Sequence, residues 1–162
     1  MTEFKWESYP SIQINEQVRR WLLMQMHLQL SANTIQAYAR ALQLLLQFCD
    51  RHQIEVETAT REHIALWLHD MTQPPSGKTA PANATLQQRL TAVRLFYNYL
   101  VEEQYREDNP VGYGRYTPGK SFGGMRNRGL LPRYEKLPWI PSDEQWLRIL
   151  EVARHESLRT RL

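Results

Sequence analysis

Residues 84–112 read ATLQQRLTAVRLFYNYLVEEQYREDNPVG, and this stretch decides the fold class. Leu86, Leu90, Val93, Tyr97 and Leu100 recur at intervals of three and four, the spacing of one buried helix face. Beside that face, Gln87, Thr91, Arg94 and Asn98 form a second stripe stepping by four, three and four. A solvated helix surface ordinarily carries Glu and Lys. Amides and arginine are instead side chains that bond base edges and phosphates. Asp108-Asn109-Pro110 ends the pattern, because proline lacks an N–H and disfavours helix in the residue before it.

Upstream, a helix from Thr34 to about Arg51 carries Ile35, Tyr38, Leu42, Leu45 and Cys49 on one face, with Ser31 or Asn33 as its cap. Beside them Gln36, Arg40, Gln43 and Gln47 repeat the same stripe, amides around one arginine. No Glu-to-Lys pairing supports either stripe. The plainer reading is that glutamine is a good helix former and merely solvates the surface. A short helix is expected from Thr60 to Met71, with Ile64, Trp67 and Leu68 inward and Thr60 as cap. His63 stands where a capping box would place Glu or Gln. TQPPSGKTAPAN, residues 72–83, is a loop by composition.

A first helix spans residues 14–30, capped by Asn15. Val18, Trp21, Leu22, Leu28 and Leu30 are apolar, while Leu23, Met24 and Met26 fall on other sides. A helix apolar nearly all round is clamped between neighbours or against a second subunit. Residues 1–13 show no period and are expected to be an N-terminal extension packing loosely on a domain of residues 14–112.

Downstream, Gly and Pro recur too often for helix or interior strand over the roughly 30 residues after Pro110, so residues 113–138 read as an extended linker. Residues 110–136 hold Arg115, Lys120, Arg126, Arg128, Arg133 and Lys136 against Glu135 alone. Tyr113, Tyr116, Phe122 and Tyr134 interleave with them and are suited to stacking on a nucleic acid or to anchoring a loop. Ser142-Asp143-Glu144-Gln145 is a capping box, and Trp146, Ile149, Leu150 and Ala153 line the apolar side of the helix it opens. Residues 139–162 are thus expected to be the first helix of a truncated second domain.

Charge is uneven. Residues 1–83 carry 7 basic and 8 acidic groups, residues 84–162 carry 13 and 9, and the whole chain is +3. A basic arm beside a helical domain suits a polyanion, and equally a soluble linker. With 42% hydrophobic and 23% charged residues the chain has the composition of a globular protein. No apolar run approaches the roughly 20 residues that span a bilayer, and the N-terminus has no secretory pattern. Cys49 is the single cysteine, which excludes an internal disulfide and fits a reducing cytoplasm. The five histidines are scattered without metal-ligand spacing, there is no phosphate-binding glycine loop, and Cys49 sits on an apolar face. No active site, metal site or cofactor is expected from these residues.

Two blocks resemble one family. Leu30-Ser31-Ala32-Asn33-Thr34-Ile35-Gln36-Ala37-Tyr38 carries L-S-x-N-T-x-x-x-Y, and Thr85 to Tyr97 carries T-x-x-x-R-L-x-A-x-R-x-F-Y, trailing into Asp108-Asn109-Pro110. Together they resemble the core-binding domain of tyrosine recombinases, the phage-integrase family, over roughly residues 15–112. The resemblance implies an all-α protein: a small four-to-five-helix orthogonal bundle (a SAM-like core-binding domain), then a long basic linker and one helix of a truncated second domain. It implies double-stranded DNA as partner, with the second and fourth helices of the bundle on the major groove. Candidate contacts are then Asn33, Thr34, Gln36, Arg40, Gln43, Thr85, Gln87, Gln88, Arg89, Thr91 and Arg94, joined by Arg115, Lys120, Arg126 and Arg128 of the basic arm. Arg40, Arg89 and Arg94 would chiefly hold phosphates and the amides read base edges.

The family's catalytic residues are expected beyond Leu162, and none of the eight tyrosines has the context of its nucleophile. The resemblance therefore implies DNA binding by this chain, DNA breaking and rejoining by a complete recombinase, and a homo-oligomer, a tetramer on DNA, in a bacterial cytoplasm. The competing reading is a helical protein-interaction or dimerisation module without DNA binding. An unrelated helical DNA binder such as a repressor is a third. Steep salt dependence separates the DNA readings from the second, because only phosphate neutralisation releases counterions.

Overall fold

The computed structural model describes residues 4–112, 130–131 and 141–159, with the side chains of 156–159 excepted. Among them are six α-helices and no strand: α1 (Pro10–Ile14), α2 (Glu16–His27), α3 (Ala32–His52), α4 (Arg61–Thr72), α5 (Asn83–Glu102) and α6 (Asp143–Arg159). Two 3-10 turns, Trp6–Ser8 and Val56–Thr58, complete the set. The all-α expectation holds. The chain divides into two units, residues 1–132 and 133–162.

In the first unit, α3 and α5 pack together at the centre. Ile35, Ala39, Leu42, Leu45, Phe48 and Cys49 of α3 meet Leu90, Val93, Phe96, Tyr97 and Leu100 of α5 in one core. Trp21 brings α2 into it, stacking on Tyr38 at 5.4 Å and meeting Phe96 edge-on at 5.9 Å. Such ring pairs are worth about 0.5–1.5 kcal/mol beyond the area they bury. From α4, Ile64, Trp67 and Leu68 close the other side.

Each helix starts for a local reason. Asn15 Oδ1 accepts from Val18 N at 2.9 Å to open α2, and Ser31 Oγ accepts from Thr34 N at 3.2 Å to open α3. At α4 the box is complete after all: Thr60 Oγ1 accepts from His63 N, and Thr60 N donates to His63 Nδ1 at 3.2 Å. A neutral imidazole offers the acceptor that Glu or Gln would. At the other ends, α2, α3 and α5 are each followed by a glutamine in the left-handed region, Gln29, Gln53 and Gln104. The next N–H turns back into the helix: Ile54 to the Cys49 carbonyl at 2.9 Å, Tyr105 to that of Leu100 at 2.8 Å.

Residues 4–13 pack more closely than expected: Pro10 opens α1, and Ile12 is 0% exposed in the core. Phe4, Trp6 and Tyr9 pack beside it, Phe4 stacking on Tyr9 at 5.3 Å. Proline at a first helical position is pre-set for helix, but five residues are too few to show a period. Within the stretch expected to be linker, Leu130 and Leu131 lie partly buried against the core.

In the second unit, α6 is opened by the expected box, with Ser142 N donating to Gln145 Oε1 at 2.9 Å and Gln145 N to Ser142 Oγ at 3.4 Å. Its apolar residues Trp146, Leu147, Ile149, Leu150 and Val152 are exposed.

Candidate nucleic-acid interface

The stripe on α3 is split. Asn33, Gln36 and Arg40 are exposed and Thr34 half-buried, its hydroxyl 2.8 Å from that of Ser31. Gln43 is different: only 8% exposed, its Oε1 accepts from Ile12 N at 3.3 Å and its Nε2 donates to Ser11 Oγ at 3.1 Å. Helix α1 lies on it. Gln43 is therefore withdrawn as a DNA contact, because both ends of its amide serve the fold. What remains for a ligand is the first half of α3, where Arg40 makes no hydrogen bond or ion pair with the described residues.

On α5 the stripe is held more tightly. Gln88 and Thr91 are exposed, while Thr85, Gln87, Arg89 and Arg94 are half-buried. Gln87 Nε2 reaches the Leu131 carbonyl at 3.5 Å, and Thr91 Oγ1 bonds the Gln87 carbonyl at 2.9 Å. Arg89 Nη1 lies 3.4 Å from Met71 Sδ at the end of α4. Arg94 Nε donates to the Val111 carbonyl at 3.4 Å. Arg115, Lys120, Arg126 and Arg128 lie outside the described residues.

After α5 the chain doubles back along the helix, and three residues missed in the sequence hold it there. Arg106, pressed over the Tyr97 ring at 4.9 Å, donates from Nη1 to the carbonyls of Glu57 and Ala59, both at 3.1 Å, and from Nη2 to Asp108 at 3.1 Å. Asn109 Nδ2 donates to the Arg94 carbonyl at 3.0 Å and to Asn98 Oδ1 at 2.7 Å, while its Oδ1 accepts from Val111 N at 2.8 Å. Arg61, from the start of α4, donates to the Gly112 carbonyl. The only signal for this bracket was Asp108-Asn109-Pro110 itself, which announces a helix stop and not a partner eleven residues upstream.

Ionisable groups in the core are neutral by construction. Burial, with Asp50 and Glu57 adding to it, pushes the Cys49 thiol up to about 12. Burial likewise raises Tyr97, against the opposing pull of Arg106. Neither is a nucleophile at neutral pH. Among the described residues no cluster of His, Cys, Asp and Glu is arranged to hold a metal, and no helix is long and apolar enough to cross a membrane.

Comparison with known proteins agrees with this architecture. The family model of the phage integrase N-terminal SAM-like domain matches residues 20–104, just over half of the chain. A protein named a tyrosine recombinase, from Caldanaerobacter subterraneus subsp. tengcongensis, is 30% identical over 89 residues, 55% of this chain and 29% of that protein. The chain thus spans less than a third of that relative's length. No solved structure matches. Residues 20–104 lie across α2 to α5 and contain both stripes, and the chain belongs to the phage integrase family through its N-terminal SAM-like domain.

Proposed function

We propose that the bundle binds double-stranded DNA as the core-binding domain of a tyrosine recombinase, covering one face of a recombination half-site. The observation that carries this reading is the exposed start of α3. Asn33, Gln36 and Arg40 stand in solvent there with the hydrogen-bonding character of a groove reader, in a chain of the phage integrase family. Gln88 and Thr91 on α5 contribute in the same way, Arg89 and Arg94 supply phosphate contacts, and the basic arm of residues 113–138 adds charge. The domain boundaries, the breaking and rejoining of DNA by a longer protein through residues beyond this chain, and assembly as an oligomer on DNA belong to the same proposal.

The test is fluorescence anisotropy of the chain with a duplex of about 30 base pairs at several salt concentrations. Each phosphate neutralised contributes about 0.9 to the slope of log affinity against log salt. Arg40→Ala is expected to flatten that slope by about 0.9. An unchanged slope and affinity in Arg40→Ala removes α3 from the interface. The other reading, a protein-interaction module, is favoured by exposed Ile14 at the end of α1 and by exposed Met24 and Leu28 of α2 and its C-cap. Concentration-dependent self-association without DNA binding in low salt supports it instead.

A further inference from the structure

We infer that Asn109 is a positioning residue for Arg94 at this interface, fixing the guanidinium before DNA arrives; the inference rests on the DNA-binding reading above. Three hydrogen bonds close a ring around Arg94. Its backbone carbonyl accepts from Asn109 Nδ2 at 3.0 Å, Asn109 Oδ1 accepts from Val111 N at 2.8 Å, and the Val111 carbonyl accepts from Arg94 Nε at 3.4 Å. A fourth bond, Asn109 Nδ2 to Asn98 Oδ1 at 2.7 Å, anchors the ring one helical turn further on.

The chemistry selects asparagine. The position needs a donor and an acceptor on one short side chain; aspartate supplies only acceptors, and glutamine is longer by a methylene. Pro110 adds stiffness, because it fixes its own φ and biases Asn109 away from helix. Arg61 secures the next carbonyl, Gly112. An arginine has much rotamer freedom to lose, and a side chain already held in the free protein loses less of it on binding. The ring uses the Nε edge of Arg94, so its role is to aim the guanidinium.

The test is a double-mutant cycle on DNA affinity in the full chain. Arg94→Ala and Asn109→Ala are each expected to weaken binding about tenfold, or about 1.4 kcal/mol, and the double variant no more than Arg94→Ala alone. Asn109→Ser provides the same cycle if the alanine variant folds poorly, because it removes the amide without adding a charge that would pair with Arg94.

If Asn109 variants weaken binding equally with and without Arg94, Asn109 is only a fold element and the inference is overturned. If the wild type binds but Arg94→Ala changes nothing, the inference fails while DNA binding through Arg40 stands. If the wild type binds no duplex at low salt, the DNA reading fails and takes the inference with it. A readout without DNA joins the cycle: faster solvent exchange at Arg94 Nε–H in Asn109→Ala supports the bracket, and unchanged exchange overturns it.

Discussion

The hydroxyl of Tyr97 donates to the carbonyl of Val56 at 2.7 Å, deep between α5 and the turn that precedes α4. Both groups are shielded from water, and Arg106 covers the ring and bonds the carbonyls of Glu57 and Ala59 in the same turn. Tyr97→Phe keeps the ring and leaves the buried Val56 carbonyl only the long bond from Ala59 N at 3.4 Å. The expected loss is about 1–2 kcal/mol in urea unfolding, with the slope unchanged.

Gln43→Ala removes two hydrogen bonds, the one from Ile12 N–H, which keeps the Tyr9 carbonyl at 3.1 Å, and the one to Ser11 Oγ. Stability is expected to fall by about 1–3 kcal/mol. DNA affinity, measured well below the melting temperature, stays at the wild-type value. Arg40→Ala, three residues away, should give the reverse: melting within about 0.5 kcal/mol of wild type and weaker DNA binding.

Gln53, with φ of 55°, ends α3 in a conformation that costs a residue with a Cβ about 1 kcal/mol. Gln53→Gly keeps the turn-back bond from Ile54 N to the Cys49 carbonyl, which is a backbone bond. The variant is expected to gain some tenths of a kcal/mol to about 1 kcal/mol in thermal unfolding, the relief of strain outweighing glycine's extra unfolded-state freedom.

Cys49 is predicted to resist alkylation in the native protein at pH 8 and to react fully in denaturant. Its thiol lies up at about 12 when folded against an ordinary 9.0, so both states hold the proton below pH 9 and the contribution is flat there. Above that the unfolded chain ionises first, and stability falls as pH rises toward 12, by up to about 1.4 kcal/mol per pH unit from this group. Cys49→Ala should remove that part of the alkaline slope and leave the part from Tyr97, whose hydroxyl is also raised by burial.

Periodicity made the buried faces of α3 and α5 legible, because a three-four spacing has few other causes. Composition made the 72–83 loop legible. Gln43 was not, since spacing reports which side of a helix a residue occupies and not whether another helix lies on it. Helix α1 was too short to show a period, and its burial depends on one residue, Ile12. His63 was not legible as a cap partner, because the box is usually written with carboxylates and amides, although imidazole nitrogen accepts as well. The Arg106 and Asn109 contacts join segments that meet only after a reversal of the chain, and no local pattern encodes such a meeting.

That reversal also relocates an attachment point. Helix α5, of 20 residues, is about 30 Å long. Had the chain continued from Glu102, anything joined to it would be rooted at the helix tip. Because Asn109 and Val111 are held beside Arg94, the root lies about 12 Å back, alongside the middle of the helix. The chain therefore leaves residue 112 beside the proposed contacts of α5 and not beyond the end of the helix.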